Sequence, residues 1–368
     1  MPGMVLQSFR THQVSVPLGR RMTNGSFEFE AVEHVLLELD VGDATGIGYA
    51  FAFERRQAEA IRVMVVDLAE TLVGRSVEAV RAVWGGLWQR LGYIGHAGPP
   101  VMALSVVDTA LWDLLAQRAG LPLFRLLGAS RSSLPVYATG GWLGYSREEL
   151  VEEALALRER GFAHYKMKVG HSDWRIDVDR VGHLIEAVGD GMSVMVDANQ
   201  GWSVPQAIAA GRALQALGVT WFEEPVDVED VEGSARVAAE IDIPVAAGES
   251  LFTRHDFMRL IGRRAADVAM PDLMRSGGPG EFMHIATLAD WNDMPVSSHA
   301  FTEVSAHLMA ACPNAGLVEL IPGWADDLFD TPPEIRDGRV HLPERPGLGF
   351  KFADKALHEH AVDVGSWQ

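Results

Sequence analysis

Apolar and polar positions alternate through His34-Val35-Leu36-Leu37-Glu38-Leu39, and this pattern predicts strands over residues 4–18 and 28–53 with a turn at Gly42-Asp43. A longer apolar period follows. It predicts helices over about 57–73, 77–91 and 101–119, the first ending at Gly74 and the last at Gly120 with Pro122 just beyond. Strands followed by helices suggest a small α+β unit. From about Leu134 the rhythm changes to a short apolar run, a capped helix and another apolar run, several times over. Ser146 and Glu149 have the spacing of a capping box for a helix that stops at Gly161, and Ser203-Val204-Pro205-Gln206 opens another that stops at Gly218. Eight apolar runs read as strands: 135–139, 165–169, 193–197, 220–223, 244–247, 267–270, 295–298 and 317–320. Strands alternating with helices pair in parallel, and eight of them predict a closed (β/α) barrel. An open doubly wound sheet is the rival, but it usually announces a glycine-rich turn after its first strand, and none stands here. Gly46-Ile47-Gly48 runs into a strand and carries no weight as a dinucleotide motif. The stretch after the eighth strand has a turn at Asp337-Gly338 and a strand-like run over 339–342. It is expected to lie outside the barrel and pack back on the first unit. The predicted organisation is an α/β protein with a capping α+β domain over 1–130, a barrel over 131–325 and a returning segment over 326–368.

Composition narrows the partners. The chain of 368 residues carries 31 Lys and Arg against 50 Asp and Glu, a net charge of −19. Such a surface repels phosphate backbones and anionic lipid, so neither nucleic acid nor a membrane is expected as a partner. The longest uncharged stretch, 91–107, is broken by Gly92, Gly95, Gly98, Pro99 and Pro100 and reads as a loop entering a helix. Met1-Pro2-Gly3-Met4-Val5 lacks the basic segment and apolar run of a signal peptide. The single cysteine, Cys312, can form neither an intrachain disulfide nor a cysteine zinc site; it reads as a small buried residue and fits a cytoplasmic location.

The candidate chemistry lies at the carboxyl ends of the predicted strands, where a barrel of this kind holds its active site. Reading strand by strand gives Lys166 and Lys168, Asp197 and Asn199, Glu223 and Glu224, Glu249, Asp272, His299 and Glu319. From Lys168 onward the steps are 29, 26, 26, 23, 27 and 20 residues, each close to one strand-helix unit. Charges therefore recur at one register inside apolar strands, and so many cannot be buried without compensating one another or holding an ion. Asp197, Glu223 and Glu249 end three consecutive strands. A single acid there could simply cap the next helix. Three crowded carboxylates call for a divalent cation, and an oxygen-only ligand set favours Mg²⁺. Lys166 and Lys168, two apart, share a face, and a lysine beside another cation in a dry site has a lowered pKa and can act as a base. Asp272 can orient His299 through one ring nitrogen. The other histidines read as structural.

In order and spacing, Lys166-Met167-Lys168, Asp197-Ala198-Asn199-Gln200, Glu223-Glu224-Pro225, Gly248-Glu249-Ser250, the Asp272/His299 pair and Glu319 together resemble the enolase superfamily, and within it the mandelate racemase-like group. The resemblance covers nearly the whole chain. It implies a modified (β/α)₇β TIM-type barrel under an N-terminal capping domain and a homo-oligomeric enzyme acting on a small carboxylic acid. By the same resemblance Asp197, Glu223 and Glu249 are Mg²⁺ ligands, and Glu224 is not. Lys168 and His299 are acid/base groups on opposite substrate faces. Lys166 and Glu319 stabilise the carboxylate as it becomes an enediolate. A cation, a lysine and a hydrogen-bonding carboxylic acid can each stabilise that dianion by about 3 kcal/mol or more. The outcome is racemisation if His299 returns a proton to carbon, and dehydration if it protonates a departing β-hydroxyl. Ala110-Leu111-Trp112-Asp113 and Leu126-Leu127-Gly128-Ala129 look like the acid-sugar dehydratases of the galactarate/talarate type. The polar stretch Gly19–Gly25, with Arg20, Arg21 and Asn24, is expected over the barrel mouth, where the arginines would fork a distal carboxylate; an ordinary solvated turn is the alternative. The expected activity is a sugar-acid dehydratase, with a 2-hydroxy-acid racemase or a sugar-lactone cycloisomerase as alternatives and a non-catalytic carboxylate-binding protein as the rival from another class.

Overall fold

Three strands, β1 (Ser8–Thr23), β2 (Glu28–Asp40) and β3 (Thr45–Ala52), form an antiparallel sheet in chain order in the computed structural model, which describes residues 3–325, 327–359 and 361–362. One face is covered by α1 (Arg55–Glu70) and α3 (Pro99–Ala119), α2 (Val80–Leu91) packs on α3, and the short α4 (Leu123–Leu126) leads out. α3 is long and apolar enough to cross a membrane, yet it spends those apolar faces inside the protein, against β3, α1 and α2. Gly46 and Gly48 make this contact possible, because a Cβ at either position would collide with the Ala110 or Val106 carbonyl of α3. The Gly-x-Gly that carried no cofactor meaning is thus a packing device.

β1 runs further than its alternation predicts. A register shift between Pro17 and Met22 lets the ladder resume at Met22–Phe29 and Thr23–Glu28, so Arg20 and Arg21 belong to a strand extension rather than a free loop.

The second unit is built from β4 (Ser133–Gly140), α5 (Arg147–Glu159), β5 (His164–Lys168), α6 (Trp174–Val188), β6 (Ser193–Asp197), α7 (Val204–Leu217), β7 (Phe222–Glu223), α8 (Val231–Glu240) and β8 (Val245–Ala247). It continues through α9 (Thr253–Gly262), β9 (Val268–Ala269), α10 (Leu273–Ser276), α11 (Pro279–Asp290), α12 (Thr302–Ala311) and β10 (Val318–Leu320). The Ser146–Glu149 capping box is formed and starts α5. Strands β4 to β9 pair in parallel in chain order, and β10 pairs in parallel with β4. Residues 295–299 fill the remaining place. Ser297 N–H donates to the Ala269 carbonyl, and Gly316 N–H donates to the Val296 carbonyl, so backbone bonds run around the whole ring.

The returning segment departs from expectation. β11 (Glu334–Arg336) and β12 (Arg339–His341) form a hairpin, and β12 pairs with residues 133–135 of β4. β4 starts below the ring, where its first residues would otherwise leave backbone groups unpaired. The chain meets the first unit on both sides of this hairpin; before it, the Trp324 carbonyl lies 2.9 Å from His34 Nε2 and the Phe329 ring is 5.2 Å from that of Tyr49. Leu123 N–H donates to the Gly347 carbonyl, and Val362 N–H donates to the Gln13 carbonyl beyond the last helix, α13 (Asp354–Glu359). Buried Asp113 is the main fastening, since it accepts from the backbone N–H of Leu348 at 2.7 Å and of Ile47 at 3.0 Å. Asp113→Ala strands both donors and should lower unfolding stability by about 3 kcal/mol or more, measurable in a urea titration.

Candidate active site

Strand pairing sets the first row of the site. Lys168 on β5 is registered with Asp197 on β6, and Asp197 with Glu223 on β7, so three charged residues stand side by side at one end of the ring. Glu249 follows β8 by two residues, and a bridge places Asp272 next to His299. Glu319 is on β10. Backbone strain marks the same end. Asn199, Glu224, Ala300 and Phe301 all take the left-handed conformation, with φ of 42°, 36°, 46° and 49°. Non-glycine residues rarely hold it without a surrounding structure that enforces it.

Oxygens of Asp197, Glu223 and Glu249 lie within 4.8 Å of one another, and all three residues are buried. Lys166 Nζ, wholly buried, sits 2.5 Å from Glu223 Oε1, 2.9 Å from Glu319 Oε1 and 3.7 Å from Asp197 Oδ2. Lys168 Nζ is 2.5 Å from Asp197 Oδ2 and 5.5 Å from the centre of the Trp142 ring. Burial and the neighbouring acids push the Glu223 carboxyl well above its ordinary range, although Lys166 opposes them. The two lysines hold Asp197 below its usual value against the effect of burial. Glu223 Oε2 and Glu249 Oε2 are buried without a hydrogen-bond partner. Hard oxygen donors that are crowded, partly unpartnered and reluctant to ionise together fit a divalent cation.

Lys168 corrects one expectation. Burial and Lys166 act to lower its pKa, but Asp197, Glu249 and Glu223 outweigh them and raise it. The protein's own charges therefore favour the ammonium. Neutralising those carboxylates leaves burial and Lys166, which both favour the amine.

His299 Nδ1 is 2.7 Å from Asp272 Oδ2, and its Nε2 faces Glu249 Oε2 at 3.4 Å and Glu319 Oε2 at 4.0 Å. Burial disfavours the imidazolium. Glu249, the Asp272 hydrogen bond and Glu319 more than offset this and push the pKa up to about 8. Asp272 is fixed in turn, because its Oδ1 accepts the Arg275 N–H at the start of α10. Glu319 corrects a second expectation. Burial would raise its pKa, but Lys166 and His299 hold it at about 2. In the protein's own field the ionised form is favoured, and the carboxylate takes the Ala300 N–H at 2.7 Å and the Thr139 hydroxyl at 2.5 Å.

The hairpin tip closes over this end. Ser26 Oγ donates to the Asn199 carbonyl at 2.7 Å, and a Cβ on Gly25 would come within 2.6 Å of the Ala198 carbonyl. Asn24 turns its oxygen to the N–H groups of Ser26 and Phe27, which makes it a turn former, while Asn199 Oδ1 is buried without a partner. Arg20 and Arg21 are not brought to the charged cluster. Arg20 pairs with Glu149 and lies over the Tyr145 ring, and Arg21 pairs with Glu28 and Glu30 across its own hairpin, where it is 63% exposed. Their fork geometry is spent on exposed acids, Glu149 of α5 for Arg20 and the hairpin's own Glu28 and Glu30 for Arg21. Exposed pairs of this kind contribute about 1 kcal/mol or less, so an Arg20→Ala, Arg21→Ala double variant should keep kcat/KM within about fivefold in a steady-state assay.

Residues that a search for charge passes over also line this end. Trp142, two residues past β4, touches Phe29 of the cap edge-on at 5.5 Å, and Trp324 beyond β10 meets Phe53 and Phe51 edge-on at 5.4 and 5.2 Å. The first strand of the barrel ends in no charge, which is why a strand-end scan for acids and bases misses Trp142.

Known proteins resemble this chain along nearly its whole length. Residues 13–128 match the mandelate racemase/muconate lactonizing enzyme N-terminal domain, and residues 149–356 match the enolase C-terminal domain-like family. The chain is 35% identical to a 3,6-anhydro-α-L-galactonate cycloisomerase of Streptomyces coelicolor, over 97% of this chain and all of that one. It is 36% identical to an L-talarate/galactarate dehydratase of Salmonella typhimurium over 84% of this chain and 78% of that one. An arabinonate dehydratase of Saccharolobus solfataricus is 29% identical over 89% and 91%. The crystal structure of the Salmonella enzyme liganded with Mg and L-lyxarohydroxamate superposes with a TM-score of 0.93 at 32% identity, covering 98% of this chain and 94% of that one. The chain belongs to the enolase superfamily, in its mandelate racemase/muconate lactonizing enzyme group.

Proposed function

We propose that the protein is a Mg²⁺-dependent acid-sugar dehydratase that removes the proton α to a carboxylate through an enediolate intermediate. The observation that carries this reading is the pair Lys168 and His299, two proton-transfer groups that flank one acidic triad from strands on either side of it. A protein that only bound a carboxylate would have no use for both.

Asp197, Glu223 and Glu249 would hold the cation, which supplies positive charge against the dianionic enediolate. Lys166 adds a buried ammonium kept in place by Glu319. Lys168, as the free amine, takes the α proton. His299, oriented by Asp272, gives its proton to the β-hydroxyl. The electrons of the broken C–H bond are held in the enediolate and then form the C2–C3 double bond as the C3–O bond breaks, water leaves, and the enol tautomerises to a 2-keto-3-deoxy acid. The dehydratase relatives support a polyhydroxylated acid as substrate. The arginines no longer contribute to that choice.

The cycloisomerase relative, which aligns over its whole length, favours a second reading in which the same enediolate, formed by loss of the α proton, collapses by breaking the C–O bond of a ring ether or lactone instead of expelling water. Incubating a panel of aldonic, aldaric and anhydro-sugar acids with Mg²⁺ and recording product mass separates the two. Dehydration loses one water and leaves a 2-keto acid, while cycloisomerisation leaves the mass unchanged. Absence of any product from the whole panel would refute both.

A further inference from the structure

We propose that Arg180, paired with Asp177 on α6, is a positioning residue that locks the ends of β4 and β5 and so fixes Lys168 against Trp142. The inference rests on the proton-abstracting role given to Lys168 above.

Arg180 is buried, with a side chain only 8% exposed. Its Nη1 donates to the Lys168 carbonyl at 3.0 Å and meets Asp177 Oδ1 at 3.2 Å. Its Nη2 donates to the Gly141 and Trp142 carbonyls at 3.3 and 3.1 Å. Asp177, fully buried, works on the next residues. Its Oδ2 accepts the N–H groups of Gly170 and His171 at 2.9 and 2.8 Å, and its Oδ1 is 2.6 Å from His171 Nδ1. Lys168 N–H itself donates to the Gly141 carbonyl. One ion pair thus gathers the backbone of residues 141–142 and 168–171, the two segments that carry the candidate base and the ring beside it.

Stability alone does not call for such a pair. A buried ion pair is commonly no more stabilising than apolar residues of the same volume. What it supplies is direction: the planar fork of a guanidinium can address two strand ends at once, and a lysine ammonium cannot reproduce that geometry. A base displaced by about 1 Å can lose about 10²-fold in rate.

Arg180→Lys tests this in the full-length enzyme with Mg²⁺. The expected result is a fall in kcat of about 10²-fold, KM within about threefold of wild type, and an unchanged gain in melting temperature on adding Mg²⁺. Arg180→Ala should recover at least about tenfold in kcat with millimolar guanidinium, whereas Lys168→Ala should not. An arm independent of substrate is amide hydrogen exchange over residues 165–172, which should speed up in Arg180→Lys. Wild-type kcat, unchanged exchange, or an Arg180→Lys protein that does not fold would overturn the proposal, the last by leaving a purely structural role. If the wild-type enzyme turns over no acid, the functional reading fails, and the exchange arm still decides whether Arg180 holds the strand end.

Discussion

Lys168→Ala should lower kcat on the preferred acid by about 10²–10⁴-fold while leaving a folded protein, because the loss is that of a positioned proton acceptor. The fold should survive since Asp197, the partner left behind, keeps Lys166 at 3.7 Å and the Asn199 N–H at 2.8 Å. Uncompensated burial of that carboxylate is therefore avoided. His299→Asn should cost as much in net turnover, but through the other proton. It leaves Lys168 able to exchange the α proton with solvent even when no water is expelled. The pairing of a dead dehydration with a live exchange is the signature to look for by NMR. If either variant turned over at the wild-type rate, the corresponding residue would leave the mechanism.

Removal of the cation should have an effect of similar size on activity and an opposite-signed effect in one variant. At about one hundred times its dissociation constant, Mg²⁺ should stabilise the wild-type protein by about 2.7 kcal/mol, seen as a rise in melting temperature that chelation reverses. Glu249→Gln should abolish that rise and the activity. In the presence of a chelator the same variant should be at least as stable as wild type. It removes one of three buried carboxylates whose oxygens lie within 4.8 Å, and so relieves repulsion that adds to burial in pushing Glu223 up. A thermal-shift series with and without Mg²⁺ reads both signs in one experiment. Equal melting curves in chelator and in Mg²⁺ would remove the triad as a cation site.

Much of this site was legible because barrel geometry turns a sequence interval into a position. Lys168, Asp197 and Glu223 share a register in the sheet because each ends an apolar run about one strand-helix unit after the last. The repeat of the pattern, rather than any one residue, carries the information. The cap was less legible. Arg20 and Arg21 look available in the sequence, yet Glu149, Glu28 and Glu30 take them, and a register shift in β1 decides which way they face. No local pattern announces that shift. The run over 339–342 reads as a strand, but its partner depends on β4 starting below the ring, a tertiary fact. Arg180 and Asp177 illustrate the same limit inside the barrel. On α6 they look like ordinary charged helix positions, and only folding shows that they are buried and turned toward Lys168. Electrostatic direction was the hardest to anticipate. The raised pKa of Lys168 and the lowered pKa of Glu319 follow from which charged partner lies nearest, at distances of 2.5 and 2.9 Å.

The most direct measurement of the central claim is proton NMR of the wild-type and Lys168→Ala enzymes with Mg²⁺ and a panel of aldonic and aldaric acids in deuterium oxide. The account predicts that wild type consumes at least one acid by breaking its C2–H bond, with deuterium delivered to C3 of a 2-keto-3-deoxy product, and that Lys168→Ala leaves that C2–H signal intact. Product formation with the C2 proton retained, or equal loss of the C2–H signal in both proteins, would contradict it.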